Sequence, residues 1–215
     1  MAFDKLYIVN EMMIEIGEKT LQGLGEDAKS QRLATQSYDG TVEEVFALPI
    51  PYHFATTRAQ LSRLVATPAF GYDYMYYWPE GCFRIIETVN SESKYVKYEF
   101  RREVYLHTEN GKIVQDDVLL CDQDECYVKF IVLRTNPACW PAWFRRLVIL
   151  RGACKLCAPL NENDYRKMSL KKDYEEAKDD ARAANAADAK DVSETGADEF
   201  DGSDNIADGV FNGYT

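Results

Sequence analysis

Four of the six cysteines have the residue type and spacing that could form a metal site. Cys154 and Cys157 show the C-x-x-C spacing, and Cys121 with Cys126 could supply two more thiolates for a tetrahedral zinc ion. The first pair, however, falls within a predicted helix on or beside its apolar face, and no glycine-rich knuckle flanks either pair. We therefore expect mainly structural, reduced thiols, and an intracellular zinc or thiol enzyme that uses these four cysteines is an alternative.

Other catalytic patterns are absent from the sequence. The two histidines, His53 and His107, lie in different predicted regions, so neither forms a local pair with a nucleophile. The chain contains no G-x-S-x-G sequence, no P-loop and no G-x-G-x-x-G sequence. We expect a protein without catalytic residues, cofactor or resident metal.

The segment from Trp140 to Arg146 combines aromatic rings with arginines, which in a basic protein would suggest stacking on nucleotides. A net charge of -11 argues against a protein that grips phosphate backbones, because that affinity comes mainly from Lys and Arg. Pro141 suits the first turn of a helix. We interpret Trp143 and Phe144 as core anchors of this helix.

Three arginines follow those aromatic residues on the same predicted helix: Arg145, Arg146 and Arg151. Charged residues on one helix face usually contact water. Contact with a neighbouring subunit is the other interpretation, and it makes the three arginines candidate interface residues.

The elements that must position these residues begin with three apolar stripes at helical spacing. The stripes consist of Leu6, Val9, Met13 and Ile16; of Ala34, Tyr38, Val42 and Val45; and of Phe54, Leu61, Leu64 and Val65. Asp4 is the predicted N-cap of the first helix and Gly17 its end. Pro49 and Pro51 close the second helix, and Pro68 closes the third. The sequence therefore predicts three helices before the first strand.

Between Phe70 and Thr135 short β-branched and aromatic runs replace the helical spacing. The runs are Tyr74 to Tyr77, Phe83 to Val89, Tyr95 to Phe100, Val104 to Leu106, Val118 to Leu120 and Tyr127 to Leu133. Asn110-Gly111 favours a hairpin turn between Glu109 and Lys112, because both residues tolerate positive φ. This region predicts an antiparallel sheet or a small barrel.

Helical spacing then returns on two faces. They consist of Trp143, Leu147, Leu150, Cys154 and Cys157, and of Leu170, Tyr174, Ala177, Ala181 and Ala184. Leu147 and Tyr174 join the aromatic pair as expected core anchors. The sequence thus predicts an α+β fold: a bundle of four or five helices, residues 1–68 and 137–190, with an inserted antiparallel β domain at 69–136.

Residues 191–215 form an acidic, glycine-rich extension without Lys or Arg. Such a segment cannot bury enough surface to fold by itself. Phe200, Phe211 and Tyr214 are spaced along it, so both a solvated tail and an arm that docks on a partner remain open. No run of about 18 apolar residues is present, and we expect no membrane partner.

Several stretches, in this order, resemble the tail tubular protein A family of head-to-tail adaptors from short-tailed bacteriophages. Val9–Glu18 resembles the family's N-x-x-L-x-x-I-G-E start, and Phe54–Leu61 is similar to its F-A-x-x-R-A-x-L. Gly71–Arg84 resembles G-Y-x-Y-x-Y-x-L-P-x-D-C-x-R, although Trp78 replaces the usual Leu and Gly81 an acidic residue. Trp140–Phe144 resembles the entry to the last helices, so the likeness extends over residues 5–190.

The resemblance implies a homo-oligomeric ring, dodecameric in the family, placed between portal and tail nozzle in the virion. The ring would be made in the host cytoplasm and would enclose DNA without reading its sequence. An acidic wall suits such a conduit, because net repulsion keeps a sliding duplex from binding. Phe200, Phe211 and Tyr214 are then candidate contacts to portal or nozzle. An acidic DNA mimic that binds a host protein is a further alternative.

Overall fold

A computed structural model describes residues 3–24, 29–89, 99–109, 112–161 and 164–194. Within these ranges the chain forms an α+β fold, as predicted. The elements in chain order are α1 (Lys5–Glu15), α2 (Lys29–Phe46), β1 (Thr56–Gln60), β2 (Tyr74–Tyr77), β3 (Cys82–Val89), β4 (Arg101–Glu109), β5 (Lys112–Cys121), β6 (Tyr127–Val132), α3 (Ala142–Leu160) and α4 (Asp164–Glu194). Short 3-10 turns lie at His53–Ala55 and Pro137–Cys139.

The first two predicted helices are confirmed, including their ends. The Asp4 carboxylate accepts a hydrogen bond of 2.7 Å from the Tyr7 backbone N–H and caps α1. Gly17 follows the helix with φ 78°, the left-handed conformation that ends many helices and favours glycine. In α2 all four residues of the predicted stripe are buried: Ala34, Tyr38, Val42 and Val45.

The third predicted helix is wrong. Thr56–Gln60 is a strand, and the structure has no helix between that strand and Pro68. The four residues of its apparent stripe belong to different environments: Phe54 packs on the helical core, Leu61 and Leu64 lie in two other clusters, and Val65 is fully exposed. The helical spacing of these four residues therefore arises by chance, because three of them pack in separate clusters and the fourth is exposed.

Helix α3 lies at the centre of the helical part, where it contacts α1, α2 and α4. Phe144, Leu147 and Leu156 of α3 are buried in the main hydrophobic cluster. The predicted face of α4 is confirmed, because Leu170 and Ala181 are buried against the same cluster. The two helical parts of the sequence, before and after the strands, thus share one core.

The strands form two three-stranded antiparallel sheets, with orders β1-β6-β3 and β2-β5-β4. Strand β6 connects the layers, because its side chains alternate between two faces. Ile131 points into the helical core, whereas Val128 and Phe130 join the cluster between the sheets. The order of layers is therefore helices, first sheet, second sheet. Leu64, Met75, Val118 and Leu120 cover the outer face of the second sheet.

The predicted hairpin between β4 and β5 is confirmed by the pairing of Glu109 with Lys112. Its turn residues Asn110 and Gly111 lie outside the described residues. The same holds for most of the predicted run Tyr95 to Phe100, and for residues 195–215. No helix in the described part of the chain is long and apolar enough to cross a bilayer.

Candidate assembly surfaces

Beyond the body of the second sheet, β4 and β5 continue as a two-stranded ribbon. Strand β2 pairs with β5 only between Val118 and Cys121, whereas β4 pairs with β5 along its whole length. The halves Val104–Glu109 and Lys112–Asp117 therefore have only each other as strand partners within the described residues. An isolated two-stranded ribbon has marginal stability in water, and this stretch has no third strand beside it within the described residues.

One face of this ribbon carries three exposed apolar side chains among polar ones. Val104, Leu106 and Ile113 show 60%, 59% and 77% of their surface to solvent. The register places Val104 opposite Asp117, Leu106 opposite Gln115 and Ile113 opposite Thr108. Residues at alternate positions share a face, so the three apolar side chains lie on the same side of the ribbon. We call this the ribbon face.

At the base of the ribbon lies an open cavity of about 430 Å³. The guanidinium of Arg102 lies 4.5 Å from the ring centre of Trp78 and donates a 2.7 Å hydrogen bond to Asp117. Burial raises the pKa of the nearby Cys82 thiol to about 11. Trp78 and Gly81, two of the positions at which the sequence departs from the pattern of the family that it resembles, both line this cavity.

The three predicted interface arginines of α3 all contact their own chain. Arg145 donates to the Trp140 carbonyl and lies over the Phe3 ring, 4.0 Å from its centre. Arg146 donates to Glu15 at the end of α1, and Arg151 Nε donates to Glu44 in α2 at 2.9 Å. Sequence reasoning missed these partners because the two glutamates lie more than 100 residues away. A contact to a second subunit stays a prediction.

The four expected core anchors all belong to the main hydrophobic cluster. Phe144 and Leu147 are fully buried and Tyr174 nearly so, whereas Trp143 is only partly buried. The Trp143 ring stacks on Tyr52 with 6.0 Å between centres.

Tyr52 and Trp140 are buried aromatic residues of this cluster that the sequence did not identify as anchors. Tyr52 donates its hydroxyl to the Val45 carbonyl, and the Trp140 indole donates to the Arg134 carbonyl at 2.7 Å. Each ring carries one hydrogen-bond donor, a hydroxyl or an indole N–H, which needs an acceptor within the protein when the ring is buried. The sequence alone does not show which carbonyl group will be that acceptor.

The four candidate zinc ligands do not meet. Cys121 and Cys126 belong to the cluster between the sheets, whereas Cys154 and Cys157 lie on α3 against the helical core. The hydrogen bond that Cys126 donates to Cys121 raises the pKa of Cys126, and burial raises it further. In the ranges that the structure covers, no three side chains of the metal-binding types form a group.

The histidines are also apart. His107 stacks on Tyr105 with 5.3 Å between ring centres, and its Nδ1 lies 3.7 Å from the Asp116 carboxylate. His53 lies beside α4, where burial lowers its pKa.

No protein-family model matches this chain, and no curated protein matches it either.

Proposed function

We propose that this protein is a phage virion protein, a head-to-tail adaptor that forms a ring between portal and tail nozzle and acts without catalysis. The sequence support is the ordered resemblance over residues 5–190. The structural support is a helical core built from both ends of the chain, with the β layers between them in sequence. The single observation that carries the proposal is the ribbon face, because three exposed apolar side chains grouped on one face are expected to be covered in an assembly.

A ring needs two different surfaces on each subunit that close on each other around an axis. The ribbon face is the proposed first surface. The proposed lumen is acidic, since a chain of net charge -11 repels the DNA that passes through it. The segment that contains Phe200, Phe211 and Tyr214 is proposed to contact portal or nozzle.

The proposal is tested by electron microscopy of the purified full-length chain mixed with the portal protein from the same genome. We expect a ring at one end of the portal. The double variant Leu106→Asp and Ile113→Asp should lose the ring, because two buried carboxylates would be unpaired in the interface. Lys19→Asp, an exposed substitution after α1, serves as the control and should keep it.

Two outcomes contradict the proposal. A chain that stays monomeric beside its portal would not be an adaptor, and selective binding to a basic host protein would favour the DNA-mimic alternative. Rings that form equally well with the double aspartate variant would remove the ribbon face from the interface.

A further inference from the structure

A groove between α3 and α4 concentrates positive charge in this acidic protein. It encloses about 400 Å³ and is lined by Arg151, Cys154, Lys155, Lys171, Tyr174 and Glu175. Three of these six side chains are cations and one is a carboxylate, although the whole chain carries a net charge of -11. We call it the α3–α4 groove.

The cations of the groove exceed the carboxylates that neutralise them. Arg151 and Lys155 share the single carboxylate of Glu44, at 2.9 Å and 2.7 Å. Lys171 forms no ion pair with any residue that the structure describes. Glu175, the one lining carboxylate, is paired with Lys178 at 2.6 Å. A further carboxylate in the groove would therefore meet uncompensated positive charge.

We propose that the α3–α4 groove binds the carboxylate-rich segment 198–208 of the same chain. This segment lies outside the described residues, and its sequence carries five carboxylates and no cation: Asp198, Glu199, Asp201, Asp204 and Asp208. Charge complementarity selects it, because it is a dense run of carboxylates without the neighbouring lysines and arginines that accompany those of α4. The proposal concerns the free chain before assembly and holds whether or not the chain is an adaptor; in an adaptor, the segment would leave the groove when Phe200 contacts portal or nozzle.

The length of chain allows this contact. From Tyr174 to Glu194 the helix α4 rises about 1.5 Å per residue, so the groove lies roughly 30 Å back along the helix. An extended chain covers about 3.3 Å per residue, so a segment that turns back after Glu194 needs about nine residues to reach the groove. Asp204 is ten residues beyond Glu194 and Asp208 fourteen. These two carboxylates are the expected partners of Lys171 and Lys155.

Zero-length carbodiimide coupling tests the contact, because it joins a lysine to a carboxylate only when the two touch. In the full-length protein we expect Lys155 and Lys171 to couple to residues 201–208. Lys172 is the matched control, because it is the next residue in the chain, does not line the groove and is paired with Glu176 at 3.6 Å. We expect at least about a fivefold excess of coupling at Lys171 over Lys172, the ratio that one or two exposed ion pairs provide.

Mixing isotope-labelled and unlabelled protein before coupling identifies the donor of the segment. Cross-linked peptides that are entirely heavy or entirely light support binding within one chain. Mixed peptides would overturn the proposal in favour of a second copy. Equal coupling at Lys171 and Lys172 would overturn it altogether.

The thiol of Cys154 gives an independent measurement, because it lies in the groove and is only partly buried. The triple variant Asp201→Asn, Asp204→Asn and Asp208→Asn leaves every groove residue in place. We expect Cys154 to be alkylated several-fold faster in this variant, and also in wild-type protein at 1 M salt, where screening acts within about 3 Å. Exposed Cys139 is the internal control and should react at one rate throughout. An unchanged Cys154 rate in the triple variant contradicts the proposal.

Discussion

Asn185 of α4 accepts a 3.0 Å hydrogen bond from the backbone N–H of His53 through its side-chain oxygen. Its amide nitrogen donates to the Pro51 carbonyl at 3.2 Å, so one side chain satisfies the backbone on both sides of Tyr52. Asn185 is 3% exposed and lies on a helix face that is otherwise mainly alanine and leucine. This polar residue therefore fixes the long C-terminal helix to the segment that leads into β1.

Replacing Asn185 by Ala should lower the free energy of unfolding by about 1–3 kcal/mol, because a buried donor and a buried acceptor lose their partner. Chemical denaturation measures this change. Asp188→Ala, an exposed substitution one turn further along α4, is the control and should change it by less than about 0.5 kcal/mol. An equal effect of both substitutions would mean that the hydrogen bonds of Asn185 contribute nothing.

Gly152 should not tolerate a side chain, although it lies in a helix. A Cβ atom there would overlap the thioether of Met12, which is fully buried where α1 crosses α3. We expect Gly152→Ala to destabilise the protein by about 1–3 kcal/mol through overpacking, despite the better helix propensity of alanine.

Gly40→Ala is the matched control, because nothing lies within 4 Å of a Cβ atom at that position of α2. It should stabilise the protein by about 0.5–1 kcal/mol. Thermal unfolding of both variants checks the pair, and a stabilising Gly152→Ala would show that Met12 moves aside without cost.

The elements that the sequence predicts correctly are those whose signal is local. All four helices follow from apolar residues at helical spacing, and the cap at Asp4 follows from the side chain alone. The strand β1 has no such signal, because it is defined by pairing with β6, about 70 residues away. Phe54, Leu61 and Leu64 imitate one helix face although they are buried in three different clusters.

The division of the β region into two sheets was equally inaccessible, because it depends on which strands meet. The ion pairs on the surface of α3 could not be predicted from the sequence either. The sequence locates Arg146 and Arg151, but their partners Glu15 and Glu44 belong to helices that reach α3 only in the folded chain.

Glu44 should make stability depend on pH. Burial opposes its ionisation, but hydrogen bonds from Lys155 and Arg151 outweigh this and lower the pKa of the carboxyl group. Because the pKa of Glu44 is lower in the folded than in the unfolded chain, ionised Glu44 stabilises the fold at pH values above its unfolded pKa of about 4.3. This stabilisation is lost as the pH falls through the lower, folded pKa. The side chain is 43% exposed, so the contribution is discounted to about 0.5–1 kcal/mol.

The measurement compares Glu44→Gln with wild type in denaturant at several pH values. The variant should be less stable at pH 7, and the difference should disappear in acid. Glu43→Gln is the control, because the neighbouring carboxylate is exposed and forms no ion pair in the described part of the chain. A difference that persists at low pH would assign the effect to packing instead of charge.

The ribbon face should matter for assembly and little for folding. Threonine at Val104, Leu106 and Ile113 places a β-branched side chain, which suits a strand, at each site and removes most of the exposed apolar surface. We expect the triple variant to unfold within about 2 °C of wild type, because more than half of each side chain is already in water. Its rings on the portal should nevertheless be lost. Val118→Thr, at a buried position of β5, should instead lower the free energy of unfolding by about 1–3 kcal/mol, because a hydroxyl enters the core. A large fall in stability of the triple variant would mean that the ribbon face is covered within its own chain, and the proposed interface would then have to lie elsewhere.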